Sequence, residues 1–322
     1  MGGVVNIITR RPDGPVSADL YSSYGTLGTL DVAAGVGMEI GRVGTRTHGG
    51  YHTADGYDLD PSDLSTDGAA STMLHAGNIS QIDITDDWRL TPRVSLRRQD
   101  ASVVSESGTG AVFDSRNLSE ELQAALGSDT WLSSQTRLQV TGFTTWYRDQ
   151  YNSDQRESDA LDVYQDTRES LHHGVIQFDH NVQDKHLITT GMELLTESMQ
   201  SDRLADGKGN RKRFGLFAQD EWTITRKRRF VLMPGARLDI DAQFGTHPTP
   251  RVALRYDPHD TVALRAGLGW GYRAPSFKEQ LLRFENRSAG YIVEGSPELK
   301  PETSRNINLG VEWQPTDPFW AA

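Results

Sequence analysis

The chain contains no cysteine. Disulfides, thiol chemistry and cysteine-ligated metals are therefore excluded. Long apolar runs are missing as well: no stretch approaches the roughly 18–20 residues of a membrane-spanning helix. Hydropathy alone would place such a chain in water, but membrane strands hide their apolar face between polar residues. Basic charge is scarce. Lys and Arg number 33 against 44 Asp and Glu, a net charge of -11, which argues against wrapping nucleic acid. There is no Gly-x-x-x-x-Gly-Lys phosphate loop and no His-Glu-x-x-His metal motif. Acidic neighbours such as Glu120 with Glu121, or Asp86 with Asp87, point to opposite faces of a strand. No catalytic pair remains, and no enzymatic activity is expected. The start lacks a basic segment and a cleavage site, because Met1 leads straight into Gly2-Gly3-Val4-Val5-Asn6-Ile7-Ile8-Thr9. For an exported protein this implies that the true N-terminus lies upstream.

What is present is a two-residue rhythm. Leu30, Val32, Ala34, Val36, Met38 and Ile40 share one face of a strand, and Asp31, Ala33, Gly35, Gly37 and Glu39 share the other. The same alternation recurs over 251–256, 262–271 and 306–313, with Arg251 and Arg265 on the polar faces. On a lipid face near mid-bilayer each arginine would cost about 2–4 kcal/mol. Gly35, Gly37, Gly267, Gly269 and Gly271 read as small inward residues that leave room for a plug. One strand fits less well: Asp220 shares a face with Phe214, Leu216, Ala218, Trp222 and Ile224. A position near the headgroups and a β-bulge both account for it.

The connections alternate in length. Short turns fall at 41–42, 85–87, 127–129, 182–184, 225–227 and 258–260, and longer loops at about 54–68, 101–112, 150–166, 201–210, 241–246 and 274–300. Short turns on one side and long loops on the other are the pattern of an antiparallel up-and-down transmembrane β-barrel. Counting hairpins gives roughly fourteen strands, from near Val16 to about Gln314. The helix-like stretch Leu118–Leu126 falls in a strand by hairpin order, and Phe319-Trp320-Ala321-Ala322 follows a turn. A soluble sandwich or propeller would also alternate. It would show no reason for the short–long order, and no blade-length repeat is visible.

Three segments, taken in order, resemble TonB-dependent outer-membrane receptors of the siderophore and cobalamin type. Gly2-Gly3-Val4-Val5-Asn6-Ile7-Ile8-Thr9-Arg10-Arg11-Pro12 is similar to the exit of that family's plug domain. Tyr272-Arg273-Ala274-Pro275 resembles its Phe-Arg-Ala-Pro box, and Pro297-Glu298-Leu299-Lys300-Pro301-Glu302 its Asn-Pro-x-Leu-Lys-Pro-Glu box. Phe217-Ala218-Gln219-Asp220-Glu221-Trp222 is similar to another family strand. The resemblance implies a fragment: residues 1–12 end a plug, and 13–322 form part of a barrel of about twenty-two strands. It implies the bacterial outer membrane, outer-membrane lipid on the apolar face, a metal-chelate ligand, and TonB acting through the plug. A ferric siderophore is the leading substrate and cobalamin the alternative. From another class, a passive porin or a barrel enzyme competes; the plug-exit motif argues against both. Haem receptors of the family carry a histidine between the two boxes, and none lies between Ala274 and Pro301. His48, His52, His75, His172 and His173 lie elsewhere and read as lumen or girdle residues.

The candidate site residues follow. Arg273, Arg283 and Arg287 lie in the long loop and suit an anionic chelate. The family motif comprises Arg273, Ala274, Pro275, Pro297, Leu299, Pro301 and Glu302, whose prolines stop strands and shape the loop. Asp55, Asp58, Asp60 and Asp63, followed by Asp67, cluster acidic oxygens of the kind calcium takes. The family's cobalamin receptors hold calcium in early extracellular loops, although a solvated loop of turn formers accounts for the same residues. No other cofactor is expected.

Overall fold

The computed structural model describes residues 14–321 apart from 61, 109, 227, 228, 287–289, 317 and 318. The plug-exit segment at 1–12 lies outside the described residues. The alternation is realised as β1 (Val16–Tyr24), β2 (Leu30–Ile40), β3 (Val43–Ala54), β4 (Ala70–Asp83), β5 (Trp88–Glu106), β6 (Val112–Ser133), β7 (Thr136–Gln155), β8 (Val163–Val182), β9 (His186–Ser201), β10 (Lys208–Thr225), β11 (Phe230–Asp241), β12 (Gly245–His259) and β13 (Val262–Arg273). After a helical turn, α1 (Phe277–Leu281), and a small ribbon of β14 (Arg283–Asn286) and β15 (Tyr291–Glu294), come β16 (Glu302–Thr316) and β17 (Phe319–Ala321). Sheet order follows chain order from β1 to β13 and continues with β16 and β17. The fourteen long strands match the hairpin count. The three-residue β17 and the helix α1 do not appear in the sequence reading.

One expected turn is corrected. Gly127-Ser128-Asp129 is not a turn, because β6 continues to Ser133. The Asp129 carboxylate accepts from Arg137 Nε at 2.8 Å across the hairpin, a cross-strand use in place of a turn contact. Four of the loops are also shorter than expected, at 107–111, 156–162, 202–207 and 242–244. β6 has 22 residues and β7 and β8 have 20 each, roughly 65–75 Å of strand, whereas about 9–11 residues cross a bilayer. The strands continue past the membrane and consume loop sequence.

Contacts divide the chain into two compact units: one runs to Gly127 and includes Thr144–Glu169 and Asn286–Tyr291, and the other comprises Ser128–Phe143, Ser170–Glu285 and the chain from Ile292. In the first, β1 to β5 pair in continuous antiparallel register. Val32, Val36 and Met38 are exposed while Gly35 and Gly37 between them are buried. A Cβ on Gly35 would overlap Arg46 Nη2, and Arg46 reaches across β2 to pair with Asp19. The space at Gly35 is thus filled by a neighbouring guanidinium, not left for a plug. Gly267 and Gly269 do have room for a side chain, since an added Cβ would meet its nearest atoms at 4.0 and 3.7 Å, an ordinary contact.

In the second unit, β9 to β13 and β16 form the same kind of meander. The Asp220 question is settled by the register. β10 pairs with β9 without interruption through Asp220↔Ile188, and the one irregularity against β11 comes later, between Thr223 and Thr225. No bulge occurs at Asp220. It lies near the short-turn end and pairs with His186 Nδ1 at 2.8 Å, whose ring stacks on Trp222 at 5.5 Å.

Apolar residues point outward. Among the described apolar residues only Ile79, Val112, Phe113, Met199, Leu204 and Ala263 are buried, whereas Leu20 keeps 77%, Ile40 71% and Leu309 83% of their surface. A water-soluble domain would bury these side chains. Exposed Trp131, Trp222 and Trp313 each lie within three residues of a short-turn strand end, the level of an interfacial aromatic girdle.

Candidate functional site

The long loop of the second unit starts where Ala274-Pro275 ends the β13 ladder, since proline cannot donate. Ser276-Phe277-Lys278-Glu279 then forms a capping box. Glu279 N–H donates to Ser276 Oγ at 3.2 Å, and Ser276 N–H donates to Glu279 Oε2 at 2.7 Å. Arg273 donates to both Glu279 oxygens at 2.7 and 2.9 Å. The Arg273 guanidinium and the Ser276 amide hold the Glu279 carboxyl well below its usual range, at about 2.

Arg273 also lies 3.3 Å from Glu302, its register partner on β16, so the two motif boxes close on each other. Ser296 N–H bonds Glu279 O at 2.9 Å and Leu299 N–H bonds Ser296 O at 3.2 Å, which shapes the turn around Pro297; Pro301 immediately precedes β16. Arg283 is exposed and lies 3.9 Å from both Glu285 and Glu294. Arg287 lies outside the described residues.

Sequence reasoning missed Arg211. Buried on β10, its Nη2 donates to Pro275 O at 2.6 Å and to Gln280 Oε1 at 3.1 Å. Its guanidinium lies 5.4 Å from the Phe244 ring and 5.1 Å from the Phe277 ring. A Cβ on Gly209 would come within 2.7 Å of Phe277, so this glycine admits the ring. The available signal was parity: Gly209, Arg211, Arg213 and Gly215 share the polar face of β10.

Below the loop, the polar face carries a charged ladder. Arg237 donates to Asp239 at 2.7 Å and to Glu193 at 2.7 Å, and His173 lies 3.2 Å from Glu193. Arg213 opposes Asp241, and Asp239 opposes His247. Asp241 Oδ1 accepts from the Gln243 and Phe244 amides at 2.8 and 3.1 Å. Alternation assigns Tyr272 to the outward face with Leu268 and Trp270, yet its ring stacks on His247 at 4.0 Å. Pairing of β13 with β12 ends at Gly269↔Arg251; beyond it Pro250 and Pro248 offer no donors, and the strand end is held from the β16 side alone, through Tyr272↔Thr303 and Arg273↔Glu302. Tyr272 is thereby brought into the field of Asp241, Arg213, Arg211 and Asp239. Four atoms of this group, Tyr272 OH, Asp241 Oδ2, Arg211 Nε and Arg213 Nε, are buried without a hydrogen-bond partner. Such atoms are costly when unpaired and are well placed to meet a polar ligand.

In the first unit, the acidic loop folds into local turns. Asp58 Oδ1 accepts from Asp60 N–H at 2.9 Å, Asp60 from the Ser62 amide at 3.2 Å and hydroxyl at 2.5 Å, Asp63 from the Ser65 amide at 2.9 Å and hydroxyl at 2.8 Å, and Asp67 from Leu59 N–H at 2.6 Å. The Ser62 hydroxyl and amide lower the Asp60 carboxyl. Asp55 lies beside Gly28. Among the described residues no three His, Asp or Glu side chains converge in an arrangement that holds a metal.

Comparison with known families decides what these strands belong to. Residues 10–322 match the family described as TonB dependent receptor-like, beta-barrel. The chain belongs to that family. TonB-dependent receptors reside in the bacterial outer membrane and are receptors and transporters, not enzymes, which sets the porin and barrel-enzyme alternatives aside. An iron-regulated outer membrane virulence protein of Vibrio cholerae is 34% identical over 134 residues, covering 39% of this chain and 20% of the relative. Vitamin B12 transporter BtuB of the same species is 24% identical over 334 residues, covering 98% of this chain and 50% of the transporter. In fold, a mutant ferric enterobactin receptor from Pseudomonas aeruginosa, solved in complex with enterobactin, superimposes with a TM-score of 0.73 at 17% identity, covering 99% of this chain and 54% of that one. The chain therefore spans about half the length of the transporter and of the solved receptor.

Proposed function

We propose that this chain forms part of the wall of a receptor that takes up a ferric siderophore, with energy passed through TonB and outer-membrane lipid against its apolar face. One observation carries the reading: three buried donor atoms without a hydrogen bond, Arg211 Nε, Arg213 Nε and Tyr272 OH, lie on the polar face beneath the motif loop. Arginine and phenol donors at such a place suit an anionic oxygen-rich chelate. The local likeness to an iron-regulated protein and the fold likeness to an enterobactin receptor support the same choice. Uptake of cobalamin is the second reading, favoured by an alignment with BtuB that runs nearly the whole chain. A calcium ion in the loop around Asp58, Asp60 and Asp63 belongs to that second reading only.

The test is a binding assay on outer-membrane vesicles containing the full chain. Iron-labelled enterobactin and labelled cobalamin are offered separately, with and without a calcium chelator. Retention of the iron complex, competed by unlabelled complex and indifferent to the chelator, is the expected result. Retention of cobalamin alone, lost on chelation, would replace the first reading with the second.

A further inference from the structure

The two most completely buried side chains among the described residues lie where the end of β9 meets α1. Ser201 retains 1% of its surface and Gln280 2%, with Met199 at 4% and Leu204 at 5% next to Ser201 in the chain. All four belong to the end of β9, the connection after it, or α1. Backbone hydrogen bonds clasp these parts together. Ala205 N–H donates to Leu281 O at 2.9 Å, Arg283 N–H to Arg203 O at 2.6 Å, and Gly295 N–H to Leu282 O at 2.7 Å. Gly295 has no room for a side chain, since a Cβ there would lie 2.7 Å from Gln280 C and 2.8 Å from Glu279 O.

One side chain touches two of the unit's loops directly and is linked to a third through α1. Arg211 stands on β10, whose ladder with β9 holds it at Glu197. It grips the loop after β13 through Pro275 O and Gln280 Oε1. It packs against Phe244 of the loop after β11 and Phe277 of α1. Through α1 it is coupled to the loop after β9, which bonds Leu281 and bridges Leu282. A guanidinium can do this because its plane stacks on two rings while its edge donates to oxygen.

We propose that Arg211 is a positioning residue that makes the connections after β9, β11 and β13 a single fixed rim, so that α1 is a preset wall of the mouth and not a lid that closes. The proposal rests on family membership but not on which chelate is carried.

The absence of cysteine allows a direct test. A single Lys278→Cys substitution in the full chain carries a nitroxide on the exposed face of α1, and Leu268→Cys carries a control label in β13. With Arg211 present, the label at 278 gives a slow-motion spectrum without any ligand. Arg211→Ala shortens its correlation time several-fold, Arg211→Lys restores part of the restriction, and the label at 268 does not change. Phe244→Ala, on a different loop, also loosens the label at 278; this variant serves if Arg211→Ala does not assemble. A label at 278 that is already mobile in the parent, or equally immobile without Arg211 and Phe244, overturns the proposal. Because no ligand is added, neither result bears on siderophore or cobalamin uptake.

Discussion

Leu268→Arg separates a face bathed in hydrocarbon from one bathed in water. Leu268 lies mid-strand on β13, in register with Val252 on one side and Ile307 on the other, and keeps 36% of its surface. In water, a substitution at such a surface position changes stability by no more than about 0.5 kcal/mol. In a bilayer an arginine near the midplane costs about 2–4 kcal/mol, which is roughly 30-fold to several hundred-fold in the folding equilibrium. Asn308→Arg is the matched control: its register partner is Gly267, where the nearest side-chain atom is 4.0 Å from an added Cβ, on the polar face. Both variants of the full chain are folded into phosphatidylcholine vesicles and titrated with urea, with faster migration of the unheated band marking the folded form. Leu268→Arg should lower the midpoint clearly while Asn308→Arg stays near the parent. Equal midpoints for the two variants would refute the assignment of the apolar face to lipid.

Two further outcomes concern the loop. Because the folded Glu279 carboxyl titrates at about 2, below the ordinary 4.5, its contribution to the cap is complete above about pH 4.5 and is lost as the pH falls toward 2. Pepsin cleavage near Phe277, divided by cleavage of an unfolded peptide of the same sequence at each pH, should accelerate as the pH falls through that window, and Glu279→Gln should remove the dependence of that ratio on pH. Gly295→Ala forces a Cβ against the backbone of Gln280 and Glu279 at 2.7–2.8 Å, an overpacking of about 1–3 kcal/mol; trypsin should cut after Arg283 faster by roughly 5- to 150-fold, with the urea midpoint of the sheet unchanged.

The wall was legible in the sequence because a strand has a fixed two-residue period and the bilayer sorts its faces. Val32, Val36 and Met38 fell on the outward side and Gly35 and Gly37 on the other, as read. Turn positions were less legible. Gly127-Ser128-Asp129 has turn chemistry, but Asp129 spends it on Arg137 across the hairpin. The candidate site was legible only as a motif. Arg273 and Glu302 were named, and their mutual pairing follows from a register that no local pattern reveals. Arg211 was invisible because its partners Phe244, Pro275 and Gln280 lie on two other loops. Tyr272 lies just past the alternation read over 262–271, where pairing with β12 has stopped, and its contact with His247 leaves no local signal.

The location of burial has a consequence for tolerance to mutation. Lipid tails adapt to whatever apolar surface they meet, so the outward face cannot store packing specificity. The polar face holds charges, and glycines that give way to neighbouring side chains such as Arg237 at Gly215. Close packing in the second unit is therefore concentrated in the rim, where Gln280 and Ser201 are almost fully enclosed and where a buried guanidinium must find oxygen and ring partners to be tolerated at all. Positions on the outward face, such as Leu264, Leu268 and Ile307, should accept Val, Leu, Ile and Phe interchangeably. Gly209, Phe277, Gln280 and Gly295 should accept almost nothing, although all but Gly209 lie in the long connection after β13, and connections ordinarily vary most. A saturation scan read out by trypsin resistance of the loop, alongside total assembled protein, measures this directly. If rim positions tolerated substitution as freely as the outward face, the rim would be an ordinary surface loop and its burial would have no mechanical meaning.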